Sequence, residues 1–369
     1  MNSQKPIIKV GVVCGEHSGD RLGAKIISSL KNTHKVELFG VGGPKIINQG
    51  LNPIFNFEKL HVMGLIEPLL NYRELKYLRK KIINLFLKEE IDYFFGIDSP
   101  DFNIGIHKAL KNIGETKNIQ VVSPSVWGWR EGRIKHIKNY IDLTMCLFNF
   151  EDNFYKKKKL PSIHIGHPFS DLYTSNEEKV FQKYSLDSQN QFVSILPGSR
   201  KSEIRDLLPT YIDFIKIHSK KNENYKYLIP ASDQEILELI VSYIPPSLPI
   251  RVETESAKDF LSISKFSIVT SGTATLESAI LGVFPIICYK TNPINYFIIS
   301  RMLKVDNIGL PNLLLGVRKF PELIQRNCNP ISINAASKEI EDMQSVSAQL
   351  RELLIGETEE EYINAILKL

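Results

Sequence analysis

The sequence predicts an α/β protein made of two doubly wound, parallel-sheet domains. Three observations carry that expectation. Short apolar, β-branched runs alternate with stretches of helical spacing, the pattern of βαβ units. The alternation restarts after residue 190. The chain has 369 residues, more than a single core usually supports.

In the first series, strands are expected at 7–13, 36–41, 92–97, 118–122, 143–148 and 162–166, with helical stretches such as 21–31 and 104–113 between them. The changeover falls near Gly166-His167-Pro168 and the polar stretch 171–190. The second series places strands at 191–196, 225–230, 249–252, 266–270 and 284–289. From 335 onward the chain reads as charged and helical. The expected domains are therefore 1–170 and 171–340, with 341–369 a helical segment. Ligands are expected in a cleft at the carboxyl ends of the strands.

Composition excludes several classes. Hydrophobic residues are 43% and charged residues 24%, ordinary for a globular protein. A net charge of +5 is too mild to announce a nucleic-acid binder. No apolar run approaches the roughly 18 residues that span a bilayer, and the first residues lack a signal-peptide core. Cys14, Cys146, Cys288 and Cys328 lie far apart, which fits a reduced, cytoplasmic protein. There is no P-loop motif, no Asp-x-Asp and no His-x-x-x-His pair, so no metal site is expected. Gly40-Val-Gly-Gly-Pro44 lacks the dinucleotide spacing. His164 and His167 are too close along a short strand to serve as a pair, and His167 next to Pro168 reads as structural rather than catalytic.

Four polar turns follow expected strands. The first is Gly15-Glu16-His17-Ser18-Gly19-Asp20, dense in carboxylate, imidazole and hydroxyl groups. The second, 97–103, brings Asp98 to a strand end. There it reads equally as a general base or as a helix cap, while Asp101 reads better as the cap. The third, 194–204, offers backbone N–H groups at Gly198 and Ser199, and the Arg200 guanidinium, to an anion. The fourth, 268–277, offers Ser271, Gly272 and Thr273 to phosphate oxygens and Glu277 to ribose hydroxyls. Each turn alone reads as a capped helix. Two in one domain favour a nucleotide diphosphate.

Segment 71–88 holds six Lys or Arg and one Glu, with Leu75, Leu78, Ile82 and Leu85 or Phe86 at helical spacing. Such a helix lies on an anionic membrane or presents a solvated basic face. Both tryptophans, Trp127 and Trp129, share one loop with Arg130 and Arg133, a wall for a sugar ring or acyl chain or a local aromatic cluster.

GEHSGD, GVGGP, VMGLIEPL, IDSPDFN, SPSVWGWR, GHP, LPGSR, TSGTATLE and LPNLL occur in this order between about residues 10 and 330. The ordered set resembles the lipid-A-disaccharide synthases. The resemblance implies a GT-B glycosyltransferase, two Rossmann-like domains facing across a cleft, and an inverting reaction without metal or cofactor. It implies UDP-2,3-diacylglucosamine as donor and 2,3-diacylglucosamine 1-phosphate as acceptor. The products are UDP and a β-1,6-linked disaccharide 1-phosphate. In this light Asp98 is the catalytic base, with Glu16, Ser18 and Asp20 touching sugar or orienting it. Gly198, Ser199, Arg200, Ser271, Gly272, Thr273, Glu277 and Asn312 hold the UDP. Diacylated substrates imply a peripheral place on the cytoplasmic face of the inner membrane. Arg73, Arg79 and Lys80 are expected to dock there, while Met63, Gly64, Trp127 and Arg130 meet acyl chains or acceptor. Segment 293–304 is expected to add a second contact.

The resemblance also raises a homodimer with exchanged C-terminal segments, or return of the tail onto its own N-terminal domain. Two departures stand out: His17 where the family usually has Ala, and Val317-Arg318-Lys319 where it usually has Arg then Glu after the glycine. The rivals are a cell-wall glucosamine transferase or UDP-sugar 2-epimerase of the same fold, and an inactive membrane-binding homologue.

Overall fold

The computed structural model describes residues 6–60, 72–126, 131–291 and 307–369. The chain forms two compact units, Met1–Pro168 with Leu354–Leu369, and Phe169–Leu353.

In the first unit, six parallel strands are ordered β2-β1-β3-β4-β5-β6. They are β1 (Ile7–Cys14), β2 (Lys35–Val41), β3 (Tyr93–Ile97), β4 (Lys117–Val121), β5 (Leu143–Cys146) and β6 (Ser162–His164). The helices are α1 (His17–Thr33), α2 (Pro44–Ile47), α3 (Tyr72–Glu89), α4 (Pro100–Ile113), α5 (Ile134–Tyr140) and α6 (Asn149–Lys157). Strands buried on both faces read as continuous apolar runs, because alternate side chains feed two cores. Val10, Val12 and Cys14 of β1 pack with Ile26, Ile27 and Leu30 of α1. Val13 points to the other face, with Ile82 and Phe86 of α3 and Phe102 and Ile106 of α4.

The second sheet is ordered β12-β11-β10-β7-β8-β9. Its strands are β7 (Gln191–Leu196), β8 (Tyr225–Ala231), β9 (Ile250–Thr254), β10 (Ser264–Thr270), β11 (Phe284–Tyr289) and β12 (Glu322–Ile324). Its helices are α7 (Glu177–Lys183), α8 (Lys201–Ser219), α9 (Gln234–Ser242), α10 (Ala257–Ser262), α11 (Thr273–Ile280), α12 (Leu310–Leu315), α13 (Pro330–Ala336) and α14 (Gln344–Leu353). The tail, expected as one segment from 341, divides. Helix α14 packs on α11 and α12 in the second unit, and its Arg351 donates to the carbonyls of Ile280 and Leu172. Helix α15 (Glu359–Leu367) belongs to the first unit and packs on α1. There Tyr362, Ile363 and Ile366 join the core, and Ser29 Oγ donates to Glu359 at 2.8 Å.

Strand order locates the ligand crevices. In the first sheet the chain builds β2 beside β1, then crosses back to β3 on β1's other edge. The order reverses between β1 and β3, and open α/β sheets bind ligands outside such a switch point. In the second sheet the reversal falls between β7 and β10. Both pairs of loops at these reversals are the polar turns picked out from the sequence. No described helix is long and apolar enough to cross a membrane.

Candidate active site

At the first switch point, Cys14 of β1 lies opposite Ile97 of β3, so the two chains end side by side. Asp98 extends the ladder by donating its N–H to Val121 at 2.9 Å. The backbone then turns left-handed at two consecutive residues, Asp98 (φ 51°) and Ser99 (φ 39°), before Pro100 opens α4. Ser99, not Asp98 or Asp101, holds the cap position of α4. Asp101 lies in the first turn and pairs with Arg133. Left-handed conformations cost energy for residues with a Cβ, and they cluster at functional sites.

Asp98 is half-buried beside the first turn of α1, where a Cβ on Gly19 would stand 3.8 Å from the Asp98 Cβ. Burial pushes the Asp98 carboxyl above the ordinary carboxylate range, and the neighbouring Glu16 charge adds to it, against a hydrogen bond from Ser99 that lowers it. No Lys or Arg among the described residues pairs with it. A carboxylate short of counter-charge takes up a proton more readily than a solvated one.

Glu16 caps α1 by position, its carbonyl accepting the Asp20 N–H at 2.9 Å, and its side chain is exposed. Ser18 is exposed one residue into the helix. His17 meets Phe57 edge-on, ring centroids 5.1 Å apart. Asp20 corrects the expectation. It is 1% exposed, and its two oxygens accept the N–H groups of Lys45 (2.8 Å) and Ile46 (3.0 Å). It therefore anchors the start of α2. The GEHSGD and GVGGP motifs are thus one structural unit. Gly43 leaves room for the Asp20 carboxylate, which a Cβ there would meet at 2.7 Å.

At the second switch point, β7 ends at Leu196 and β10 at Thr270. Gly198 takes φ 103°, and Glu203 folds back against it to accept the Arg200 N–H at 3.4 Å. The exposed Arg200 guanidinium rests on the same Glu203 at 3.2 Å, an ion pair easily exchanged for another anion. Ser199 is exposed. Across the switch point, Gly272 and Thr273 lie exposed at the N-terminus of α11, where backbone N–H groups and the helix dipole favour negative charge. The Ser271 hydroxyl is engaged instead with the Ile308 carbonyl at 3.3 Å. Glu277 is half-buried one turn into α11, and burial raises its carboxyl despite Lys258 nearby. Its carboxylate makes no hydrogen bond or ion pair among the described residues.

Asn312 also departs from expectation. It is fully buried, its amide donating to Phe320 and Glu322 at 2.9 Å and its carbonyl accepting from Lys319 and Phe320 at 2.9 Å. Both donors and both lone pairs are spent. These bonds make Asn312 a fastener of the 308–322 segment. Glu322, which no motif or spacing singles out, fastens the same segment through the N–H groups of Ile308 (2.9 Å) and Gly309 (3.0 Å). Arg318, in the stretch that departs from the family pattern, reaches this Glu322 at 3.5 Å.

On α3, Arg73 and Lys80 are exposed, as is Tyr77 between them. Arg79 differs: its guanidinium lies 5.0 Å over the Phe102 ring and donates to the Asp101 carbonyl, so it fastens α3 to α4. Met63, Gly64, Trp127, Arg130 and segment 293–304 lie outside the described residues.

Comparison with known proteins accords with this arrangement. The family model described as lipid-A-disaccharide synthetase matches residues 10–365. The lipid-A-disaccharide synthase of Acinetobacter baylyi is 35% identical, with 98% of this chain and 97% of that protein aligned. That of Hahella chejuensis is 35% identical over 90% and 85%. Among solved structures, the UDP-GlcNAc 2-epimerase of Neisseria meningitidis bound to UDP-GlcNAc superposes with a TM-score of 0.64 at 10% identity, covering 98% and 100% of the two chains. MurG of Acinetobacter baumannii gives 0.56 at 12%, covering 99% and 100%. These structures share the two-domain GT-B fold, and the sequence match separates the chain from the epimerases and cell-wall transferases of that fold. The chain belongs to the lipid-A-disaccharide synthetase family of glycosyltransferases.

Proposed function

We propose that the protein transfers 2,3-diacylglucosamine from its UDP donor to the 6-hydroxyl of 2,3-diacylglucosamine 1-phosphate, inverting the anomeric centre. Asp98 takes the hydroxyl proton as the acceptor oxygen attacks the anomeric carbon. The bond from that carbon to the β-phosphate oxygen breaks, and the electron pair leaves with UDP. The N–H groups around Gly198, Ser199, Gly272 and Thr273 receive the growing charge with Arg200, once the guanidinium has released Glu203. Each preorganised donor of this kind is worth about 3 kcal/mol in the transition state. Glu277 accepts hydrogen bonds from the ribose hydroxyls, since its carboxylate has no partner among the described residues. Glu16 and Ser18 face the acceptor sugar beside Asp98.

The observation that carries this reading is Asp98 itself, a half-buried carboxylate with no paired cation among the described residues, in a left-handed turn at a switch point. The exposed basic side chains of α3, Arg73 and Lys80 among them, support peripheral binding to an anionic membrane on the cytoplasmic side, where diacylated sugars reside. A homodimer with exchanged tails is the assembly we propose to test by light scattering and cross-linking. The functional test is an assay of purified protein with both diacylated sugars, expecting UDP and disaccharide 1-phosphate in equal amounts. UDP formed without disaccharide contradicts the reading.

A further inference from the structure

Beneath the Asp98 turn lies a polar cluster that is sealed from water. Asn103, His107 and Gln120 are each at most 1% exposed. Burying three polar side chains beneath the carboxyl ends of interior strands is costly unless they form bonds that matter. Two of those bonds converge on one atom. The Asp98 carbonyl oxygen accepts the Asn103 Nδ2 at 2.9 Å and the Gln120 Nε2 at 3.2 Å. The carbonyls of Val121 and Val122 also lie 3.2 Å from Gln120 Nε2 and share its two hydrogens with the Asp98 carbonyl, which sets its orientation. Its Oε1 is then the acceptor for His107 Nε2, 3.2 Å away. Burial holds His107 neutral at ordinary pH, so the ring carries one proton, and this geometry assigns it to Nε2.

The strand makes room for the cluster. Gly96 interrupts the apolar run of β3, and a Cβ there would stand 2.8 Å from His107 Nε2 and 3.1 Å from the Asn103 Cβ. A glycine inside a strand often marks such a close approach.

We infer that Asn103, Gln120 and His107 are positioning residues that lock the left-handed Asp98–Ser99 turn and so aim the Asp98 carboxylate between Glu16 and the start of α1. The inference deepens the proposed role of Asp98 and rests on it. Asn103 and Gln120 clamp the peptide that follows Asp98, and His107 fixes the Gln120 amide. Without the clamp, the Asp98 N–H bond to Val121 and the helix-capping bonds of Ser99 are left to offset the cost of two successive left-handed residues. The turn then relaxes, and the carboxylate swings toward water.

The test uses Asn103→Leu and Gln120→Met, which keep volume and remove the donors, with Asp98→Asn as reference. A displaced base costs turnover about 10- to 100-fold. UDP affinity stays within twofold, because the nucleotide loops belong to the other unit. The diagnostic readout is the acidic limb of the kcat/KM profile. A carboxyl released into water loses the burial that raised it, so the limb moves to lower pH in both variants. Carbon-13 carboxyl titration of Asp98 follows the same shift without turnover. Should one variant fold poorly, the other carries the test. The inference is overturned if both keep kcat and the acidic limb of the wild type. It is also overturned if kcat falls while the Asp98 titration stays in place, since that marks a merely structural loss. Full activity in Asp98→Asn overturns the base assignment instead, and the titration still decides the clamp.

Discussion

The Asp98 side chain lies against Gly19 at the opening turn of α1, where a Cβ on Gly19 would stand 3.8 Å away. One strand-end carboxylate is thereby brought beside another strand's polar turn, with Glu16 as its charged neighbour. Asp98→Asn removes the base and a half-buried charge together. Turnover is expected to fall at least 1,000-fold, of the order lost when an essential catalytic group is removed, while UDP binding persists. A folded-state carboxyl raised above its unfolded value costs stability once pH exceeds the ordinary carboxylate range. Calorimetry at pH 7 should accordingly find the variant at least as stable as the wild type. A lower melting temperature would assign Asp98 a structural role.

The same raised carboxyl sets the pH dependence of catalysis. Protonation disables the base, so kcat/KM should fall on acidification at a higher pH than an ordinary aspartate would give. Removing the Glu16 charge with Glu16→Gln lowers the Asp98 carboxyl and moves this limb to lower pH. An unmoved limb would separate the two residues electrostatically.

Stability in acid follows a different set of groups. Burial lowers His107 and His167 to about 4, against 6.5 for a free imidazole. Between these values the unfolded chain binds more protons than the folded one, so stability falls as pH drops from about 6.5 to 4. Thermal melts across that range should show the loss, and His167→Phe should flatten it. A melting temperature independent of pH over this window would contradict the burial of both rings.

Asp20 and Asn312 should behave as structural residues. Asp20→Ala leaves two N–H groups at the start of α2 without their charged acceptor, at a cost of about 3 kcal/mol. Asn312→Ala leaves Glu322 and two backbone groups short of partners, with a comparable loss. Chemical denaturation should find both, and kcat at a temperature where the variants stay folded should remain within about tenfold. A thousandfold loss in a fully folded variant would restore a direct role.

For donor binding, Glu277→Gln should weaken UDP about 10-fold by calorimetry without lowering the melting temperature, since its carboxylate makes no bond among the described residues. On the membrane side, Arg73→Glu with Lys80→Glu should release the protein from anionic vesicles. Each basic residue near the surface contributes about 1 kcal/mol. Arg79→Gln should chiefly loosen the α3–α4 packing, because its guanidinium lies over Phe102.

The strand series and the polar turns were legible because apolar runs and their abrupt ends are local signals. The position of Asp98 at a strand end was legible for the same reason: its strand delivers it. What could not be read was direction. Asp20 and Asn312 look like site residues until Lys45, Phe320 and Glu322, distant in sequence, take up their polar atoms. Arg79 is next to Lys80 in sequence, yet the step of about 100° around α3 turns it toward α4. Strand β12 has only three residues, too few for a periodic signal. The split of the tail between α14 and α15 depends on which surfaces receive them, which composition does not encode.

The most direct measurement of the central claim is a single-turnover assay of wild type and Asp98→Asn with both diacylated substrates, following UDP and disaccharide 1-phosphate together. Wild type should form both in equal amounts, and the variant should bind the donor yet form neither. Disaccharide formed by Asp98→Asn at the wild-type rate would contradict the account.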